Sequence, residues 1–245
     1  MTPENSFTPP LAFLVTAAGS GKRMGGGVKK EFRKIGNRSV LETTVLSMIE
    51  ASVFSYGLIT CPFGQINQTQ QILSSLTGKL NKHKIKIEFC HGGGERQESV
   101  FLGLKHIEEN LPSMLERGII LIHDGARPWA SPALIRKVAE GSITHRACAP
   151  VTPSIDAMKQ ISNDGIITAH LPRKETVGVQ TPQGFIFSDI LRAHQSASRD
   201  GRRYIDDTEI FSRYIGDVHT IAGESANKKI TFAEDINAAK LEISR

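Results

Sequence analysis

Gly118-Ile-Ile-Leu-Ile-His123 is a continuous apolar run that ends at an acid, Asp124. A short apolar run without alternation is typical of a strand that is buried on both faces of a sheet. Leu11-Ala-Phe-Leu-Val15 has the same character and leads into a glycine-rich turn. Because such strands belong to parallel sheets that helices cover on both sides, the two runs predict an α/β fold.

Helical patterns alternate with further apolar runs along the chain. Ser39-Val-Leu-Glu42 is a capping box that opens one helix, and Ser131-Pro132 predicts the start of another, which runs to about Glu140. The alternation indicates a doubly wound, mostly parallel sheet, in which ligands bind beyond the carboxyl ends of the strands. Other strands are predicted at 56–61, 84–90 and 147–151, and other helices at 65–76, 100–111 and 233–243.

Residues 155–161 and 166–171 are two extended stretches joined by Ser162-Asn-Asp-Gly165, a favourable hairpin turn. A hairpin alone is only marginally stable, so it either projects as an arm that packs on another surface or folds back on its own domain. The economical interpretation is a single domain over residues 11–245 with an arm inserted at about residues 152–176. Residues 1–10 are expected to form a flexible lead-in.

The composition is that of an ordinary globular protein. The chain has 245 residues, with 30 Lys and Arg against 25 Asp and Glu, and it is long enough for a large core. No apolar run approaches the ~20 residues that cross a bilayer, and residues 1–10 lack the pattern of a secretory signal. The scattered Cys61, Cys90 and Cys148 argue against a disulfide framework or a zinc site. They predict inert core thiols and a cytoplasmic location, and the lack of a long apolar run predicts no membrane partner.

The turn after the first strand reads Ala17-Ala-Gly-Ser-Gly-Lys-Arg-Met24, and its small residues allow backbone N–H groups to approach an anion. It matches neither a Walker A loop nor a dinucleotide fingerprint. Seven basic residues lie between Lys22 and Arg38, against the single acid Glu31. A solvated basic face or a nucleic-acid patch would also have this charge, but only Phe32 is present as a stacking residue. The turn therefore suits a polyphosphate better.

Two more turns at the same edge carry similar chemistry. His91-Gly-Gly-Gly-Glu-Arg-Gln-Glu-Ser99 offers flexible backbone, an Arg and a hydroxyl, and His123-Asp-Gly-Ala-Arg-Pro128 follows the strand quoted first. An acid just beyond a buried strand suits a Mg²⁺ ion that keeps several waters and bridges phosphates. Arg127 suits bidentate binding of a second phosphate. The alternative role for Asp124 is to cap the turn that follows it. No His is assigned a catalytic role.

Taken together, these segments resemble the 2-C-methyl-D-erythritol 4-phosphate cytidylyltransferase family of the non-mevalonate isoprenoid pathway. The resemblance implies a Rossmann-like nucleotidyltransferase fold and a Mg²⁺ cofactor. It also implies attack by a sugar-alcohol phosphate on the α-phosphorus of CTP, with release of pyrophosphate. The matches keep the same order over about residues 11–240. They are segments 17–24 with Lys30, 92–99, 123–128, 180–183, 206–207 and 227–231.

The resemblance implies roles for individual residues as well. Arg23 and Lys30 are expected to stabilise the triphosphate and the transition state. Asp124 is expected near the metal, which is held mostly through phosphates and water. Arg173 is expected to act in the neighbouring subunit of a homodimer formed through the arm, and Lys229 is the fourth expected catalytic residue. The expected CTP-binding residues are Ala17, Ala18, Gly19, Gly21, Lys22, Gly93, Arg96, Ser99 and Gly125, and the expected acceptor-binding residues are Asp124, Arg127, Thr181, Arg173 and Lys229.

Some positions depart from the family pattern. Lys29 stands where Pro is common, and Ala157 stands where the arm usually has a Thr that helps to hold the acceptor. The nearest alternative is therefore a cytidylyltransferase acting on ribitol 5-phosphate or another alditol phosphate. A non-catalytic phosphate- or RNA-binding protein is the alternative from another class, although no nucleic-acid partner is expected. A dehydrogenase is disfavoured because Cys61-Pro62 stands where the second strand should end in an acid.

Overall fold

The computed structural model describes residues 9–19, 29–232 and 234–236. Both apolar runs that predict buried strands are strands, and they extend one residue further than the apolar pattern does. The strands within the described ranges are β1 (Leu11–Thr16), β2 (Lys34–Ile35), β3 (Arg38–Ser39), β4 (Tyr56–Cys61), β5 (Lys86–His91), β6 (Ile119–Asp124), β7 (Ala147–Pro153), β8 (Lys159–Ile161), β9 (Ile167–His170), β10 (Val177–Val179), β11 (Gln183–Ile186) and β12 (His219–Ala222).

Helices follow five of these strands, and two of the helices begin where the sequence predicts. Ser39 accepts a hydrogen bond from the Glu42 N–H, and the Glu42 carboxylate accepts one from the Ser39 N–H, which completes the capping box. Ser131 Oγ caps the other helix through the Leu134 N–H at 3.0 Å. The α-helices in this part of the chain are α1 (Val40–Glu50), α2 (Ile66–Leu73), α3 (Thr77–His83), α4 (Arg96–Asn110), α5 (Met114–Arg117), α6 (Pro132–His145), α7 (Phe187–Ala197) and α8 (Asp207–Tyr214).

The central sheet is mostly parallel. β1 lies between β4 and β6 and is parallel to both, and β5 continues the parallel order beyond β4. β11 lies between β6 and β7 and is antiparallel to each of them. β10 pairs antiparallel with the far end of β7, and β12 pairs parallel with the same strand. The predicted fold class is confirmed, with an antiparallel insertion on one side.

The strand register brings the ligand-binding turns to one edge. Thr16, the last residue of β1, pairs with Asp124 on β6 and with Thr60 on β4. Cys61 on β4 pairs with His91 on β5. Because these strands are parallel, the turns that follow β1, β5 and β6 leave the sheet at the same edge.

Two hydrophobic clusters cover the two faces of the sheet. Phe13 packs with residues of α1 and α6 on one face. Its neighbour Leu14 packs with residues of α4 and α7 on the other face. Consecutive residues of β1 therefore point into different cores, which explains why its apolar pattern does not alternate.

Several predicted boundaries differ from those in the structure. The helix predicted at 65–76 becomes α2, a 3-10 turn and α3, which reaches His83. β5 begins at Lys86 because Lys84 adopts a left-handed φ of 55° at the end of α3. α6 continues past Glu140 to His145. Gly141 lies within it and packs closely against β7, since an added Cβ would lie 2.5 Å from Cys148 Sγ.

The predicted hairpin is present as β8 and β9, which form a two-stranded sheet separate from the central one. Gly165 takes the left-handed conformation at its turn, with a φ of 80°. Both strands are largely exposed, and Ile155 at its base is 90% exposed. Residues 154–176 are called the arm below.

Cys61 and Cys148 are buried, Cys90 is half-buried, and all three are free thiols. Burial raises the pKa of Cys61 and of Cys148 to about 11, which agrees with unreactive thiols. Among the helices of the described residues, none has both the length and the apolar character needed to cross a membrane. The predicted helix at 233–243 lies outside the described residues except for 234–236, as do residues 1–8 of the expected lead-in.

Candidate functional site

A cavity of about 790 Å³ opens at the carboxyl edge of the sheet. All three predicted turns contribute to its wall, together with the segment that follows β12. Residues 198–205, after α7, form the remaining side. The lining residues are Thr16, Gly19, Lys30, Glu31, Gly94, Glu95, Arg96, Gln97, Glu98, Ser99, Phe101, Asp124, Gly125, Ala126, His194, Ser198, Arg202, Arg203, Tyr204, Ile205, Lys229 and Thr231.

The first two turns are held in direct contact. Gly92 lies against Ala18 so closely that a side chain on Gly92 would collide with the Ala18 methyl group. Ser99 Oγ accepts a hydrogen bond from the Gly93 N–H at 3.1 Å and donates one to the Glu95 carbonyl at 2.9 Å. The glycine run is therefore fixed against the first turn of α4, where the helix dipole favours an anion.

Asp124 is a buried carboxylate surrounded by three cations. Its Oδ1 lies 2.9 Å from Arg96 Nε, and its Oδ2 lies 2.7 Å from Lys229 Nζ and 3.7 Å from Arg127 Nε. Burial alone would raise the pKa of Asp124, but Arg96, Lys229 and Arg127 hold it well below its usual range. The carboxylate is therefore ionised and fixes the position of these three side chains.

Arg96 connects Asp124 to a second buried acid. Its Nη2 lies 2.7 Å from Asp207 Oδ2, and Asp207 Oδ1 lies 3.0 Å from His194 Nε2. Burial opposes ionisation of Asp207, but Arg96 and His194 outweigh it and lower the pKa of this acid. Three basic side chains, Arg96, Arg127 and Lys229, thus face two carboxylates, so the cluster keeps a positive charge that favours anions in the cavity.

His123 supports this cluster from inside the sheet. The Asp124 N–H donates to Thr181 Oγ1 at 3.1 Å, and the Thr181 hydroxyl lies 2.9 Å from His123 Nδ1. His123 Nε2 lies 3.1 Å from the Arg127 carbonyl, which can only accept, so Nε2 carries the hydrogen and Nδ1 accepts from Thr181. Burial lowers the pKa of His123 to about 4, so the ring is neutral and holds Asp124 and Arg127 in register.

We expect the free energy of unfolding to fall as pH is lowered from about 6.5 to about 4, because the unfolded chain binds a proton on His123 that the folded chain excludes. The loss is about 3 kcal/mol. Urea unfolding at a series of pH values measures it, and ring-nitrogen NMR shifts report the tautomer. His123→Gln should flatten the slope, and an unchanged slope would assign the loss to other groups.

The segment after β12 places Lys229 at the cavity and anchors Lys30 there through a hydrogen bond. Asn227 is fully buried, and its side-chain Nδ2 donates to the Thr181 carbonyl at 2.9 Å. The backbone carbonyl of Asn227 accepts from Arg127 Nη1 at 2.8 Å. Lys30 Nζ donates to the Ile230 carbonyl at 3.2 Å. The side chain of Lys30 is 13% exposed and lines the cavity. Surrounding protein therefore holds its ammonium group at the cavity wall.

Most of the predicted site residues that the structure describes come together. Gly19, Lys30, Arg96, Ser99, Asp124, Gly125 and Lys229 line the cavity. Ala17, Ala18 and Thr181 are buried and are not among the lining residues. Gly93 and Arg127 are half-buried, and they contact the lining residues Ser99 and Asp124. Arg173 lies on the arm, away from this cavity, and donates to the Ile155 carbonyl at 3.1 Å. Gly21, Lys22 and Arg23 lie outside the described residues.

Sequence reasoning gave no site role to Glu31 or to the segment 198–205. Glu31 is 3% exposed on the cavity wall, and its pKa is raised by burial, which Lys30 offsets in part. Arg202, Arg203 and Tyr204 complete the opposite wall. Of the acidic pair noted in the sequence, Asp207 is completely buried against Arg96, and Asp206 caps α8 by accepting from the Glu209 N–H.

The described residues do not fit a metal held directly by protein side chains. No group of three or more His, Cys, Asp or Glu in this part of the chain is placed to hold an ion. Asp124, the expected ligand, already has Arg96 on one oxygen and Lys229 on the other. A divalent cation at Asp124 would have to displace these charges.

The chain matches a known family over residues 11–245, the family described as IspD: 2-C-methyl-D-erythritol 4-phosphate cytidylyltransferase. The chain belongs to this family. A relative of that name from Prochlorococcus marinus is 37% identical over 229 residues, which cover 93% of this chain and 96% of the relative. Another, from Corynebacterium glutamicum, is 33% identical over 240 residues, with 94% and 91% covered.

Solved structures agree with this assignment. The 4-diphosphocytidyl-2C-methyl-D-erythritol synthase from Anaerococcus prevotii superposes with a TM-score of 0.80 at 25% identity, over 97% of each chain. The 2-C-methyl-D-erythritol 4-phosphate cytidylyltransferase from Thermus thermophilus gives 0.73 at 26% identity, over 96% of this chain and 100% of that one. The resemblance inferred from the sequence is confirmed, and neither the RNA-binding nor the dehydrogenase alternative is favoured.

Proposed function

We propose that this chain transfers CMP from CTP to 2-C-methyl-D-erythritol 4-phosphate in the described cavity. The observation that carries the proposal is the cluster of cations fixed by Asp124 at the carboxyl edge of the sheet, with Lys30 on the same cavity. Family membership supports the same reaction. An anion-binding cavity of this size suits a nucleotide together with a small phosphorylated acceptor.

In the proposed reaction, a phosphate oxygen of the acceptor attacks the α-phosphorus of CTP. A new P–O bond forms, the bond between the α-phosphorus and the bridging oxygen breaks, and pyrophosphate leaves. No protein nucleophile is required, because positioned cations lower the barrier by stabilising charge on the phosphoryl oxygens. The low exposure of Lys30 and Asp124 strengthens such interactions, because little water competes with them.

The roles divide between side chains that reach substrate and side chains that hold them. Lys30 and Lys229 are the proposed contacts to the phosphates, since both line the cavity and one of them is kept in place by Asp124. Ser99 and the backbone of the glycine run form the proposed nucleoside side. Arg127 and Thr181 act through Asp124, as positioning residues.

Mg²⁺ is proposed to accompany the triphosphate, bound mostly by phosphate oxygens and water, which is its usual mode in nucleotide sites. The proposal assigns it no protein ligand, because the oxygens of Asp124 are engaged by Arg96 and Lys229. The roles proposed for Lys30, Lys229 and Ser99 do not depend on the ion.

The arm is proposed to embrace a second copy of the chain in a cytoplasmic homodimer. Ile155, Ile161 and Ile166 are 90%, 67% and 66% exposed on the arm, and large exposed apolar side chains favour burial against a partner. A separate two-stranded sheet also gains stability by packing on another surface. The three free thiols agree with a reducing compartment.

We expect pyrophosphate release from CTP and Mg²⁺ with methylerythritol phosphate as the acceptor, and little with ribitol 5-phosphate. The two acceptors should be assayed in parallel, because Ala157 replaces a hydroxyl on the arm. Release with ribitol phosphate alone would contradict the proposed acceptor while leaving the cytidylyl transfer intact. Failure with both acceptors would overturn the proposed function. A control without acceptor measures background hydrolysis.

A further inference from the structure

Lys29 contacts the backbone that follows β1. Its Nζ donates to the Gly19 carbonyl at 2.9 Å and to the Ala18 carbonyl at 3.1 Å. These acceptors lie ten and eleven residues earlier in the chain. The ammonium is partly withdrawn from water, and burial lowers its pKa while Glu31 opposes that change. Lys29 therefore engages the backbone of Ala18 and Gly19 while it keeps partial contact with solvent.

These hydrogen bonds also orient backbone donors. The carbonyl of Ala18 and the N–H of Gly19 belong to one peptide unit, and in a trans peptide they point in opposite directions. Holding the Ala18 carbonyl against Lys29 therefore turns the Gly19 N–H away from Lys29. Gly19 lines the cavity, whereas Ala18 is buried behind it. Carbonyl oxygens, which repel an anion, are kept on the lysine side.

The backbone at Lys29 has a conformation that a Pro residue could also adopt. Its φ is −53° and its ψ is 144°, an extended conformation within the range that Pro adopts. A Pro at this position would restrain the chain through φ alone. Lys has a more flexible backbone than Pro. In this chain the Lys29 side chain instead restrains Ala18 and Gly19 through its hydrogen bonds to their carbonyls.

We propose that Lys29 is a positioning residue for the triphosphate of the nucleotide, acting through the Ala18 and Gly19 carbonyls. It fixes the Ala18–Gly19 peptide at the cavity wall, so less ordering of that peptide is left to occur when the nucleotide binds. The proposal rests on the proposed function, and it concerns affinity for the nucleotide rather than the chemical step.

The test compares Lys29→Met, which keeps the length of the side chain and removes its donors, with Lys29→Arg, which keeps donors and charge. Lys82→Met is the control, because it removes one positive charge at an exposed position in α3. Calorimetric titration with CTP and Mg²⁺ should show a Kd that is about tenfold higher for Lys29→Met, the scale of a hydrogen bond to a charged group. Lys29→Arg and Lys82→Met should stay within about threefold of the parent. In turnover assays the KM for CTP should rise more than kcat falls, and the KM for the acceptor should not change.

Hydrogen exchange of the nucleotide-free protein gives a readout that is independent of activity. Amides in the peptide that contains Ala18 and Gly19 should exchange faster in Lys29→Met and return towards the parent rate in Lys29→Arg. Unchanged exchange, or a Kd for CTP equal to that of the parent, would overturn the proposal. If the parent protein binds no CTP, the proposed function fails, whereas exchange still decides whether Lys29 holds the turn.

Discussion

Lys30→Ala lowers kcat at least a hundredfold in the expected result, with the fold intact. A preorganised cation beside developing charge typically contributes about 10²–10³-fold to turnover. Lys30 meets the requirement of preorganisation, because its side chain is 13% exposed and its Nζ is anchored to the Ile230 carbonyl at 3.2 Å. The ammonium therefore has little freedom to reorganise before the reaction.

The measurement is steady-state pyrophosphate release together with the thermal unfolding midpoint. Lys82→Ala is the matched control, since it removes an exposed positive charge from α3. The loss should appear mainly in kcat, because the interaction strengthens as charge develops in the transition state. Activity within tenfold of the parent, from a protein that unfolds normally, would contradict the role given to Lys30.

The parallel strands were predictable because burial on both faces requires a continuous run of apolar residues. Every residue of β6 is buried, and its first four residues are apolar without interruption. The start of α1 was equally clear, because the hydroxyl and carboxylate of its capping box are both used. In each case the local sequence contains the whole physical reason for the element.

The antiparallel insertion has no comparable pattern in the sequence. β11 has only four residues, and α7 begins at Phe187, directly after it, with no side chain capping its first turn. A helix without a cap or a loop before it gives the sequence no boundary to detect. β12 and β10 are similarly short and exposed, so their places depend on pairing with β7.

The site was predictable as a set of residues but not as a network. Asp124, Arg96 and Lys229 come from separate turns, and their ion pairs depend on the register of the whole sheet. Glu31 lies within a basic stretch that is typical of a solvated surface, yet it is almost completely buried. The difference is tertiary, because the segment after β12 covers this stretch through Ile230 and Lys30.

Arg173→Ala is the second variant for which we expect near-complete loss of activity, and its loss should be repairable by a second subunit. Arg173 lies at the base of the arm and does not line the cavity of its own chain. If the arm embraces a partner, each active site combines Lys30 of one subunit with Arg173 of the other. A symmetric dimer then contains two such shared sites.

Mixing Arg173→Ala with Lys30→Ala therefore tests the shared site. In a heterodimer one site carries both changes and the other carries neither, so random exchange in equal amounts restores about a quarter of the parent activity. The variants need different affinity tags, so that heterodimers can be isolated before the assay. Each variant alone supplies the background. Isolated heterodimers without activity would show that Arg173 does not act across a subunit interface, whereas recovery requires both that the arm reaches the partner and that Lys30 and Arg173 serve one site.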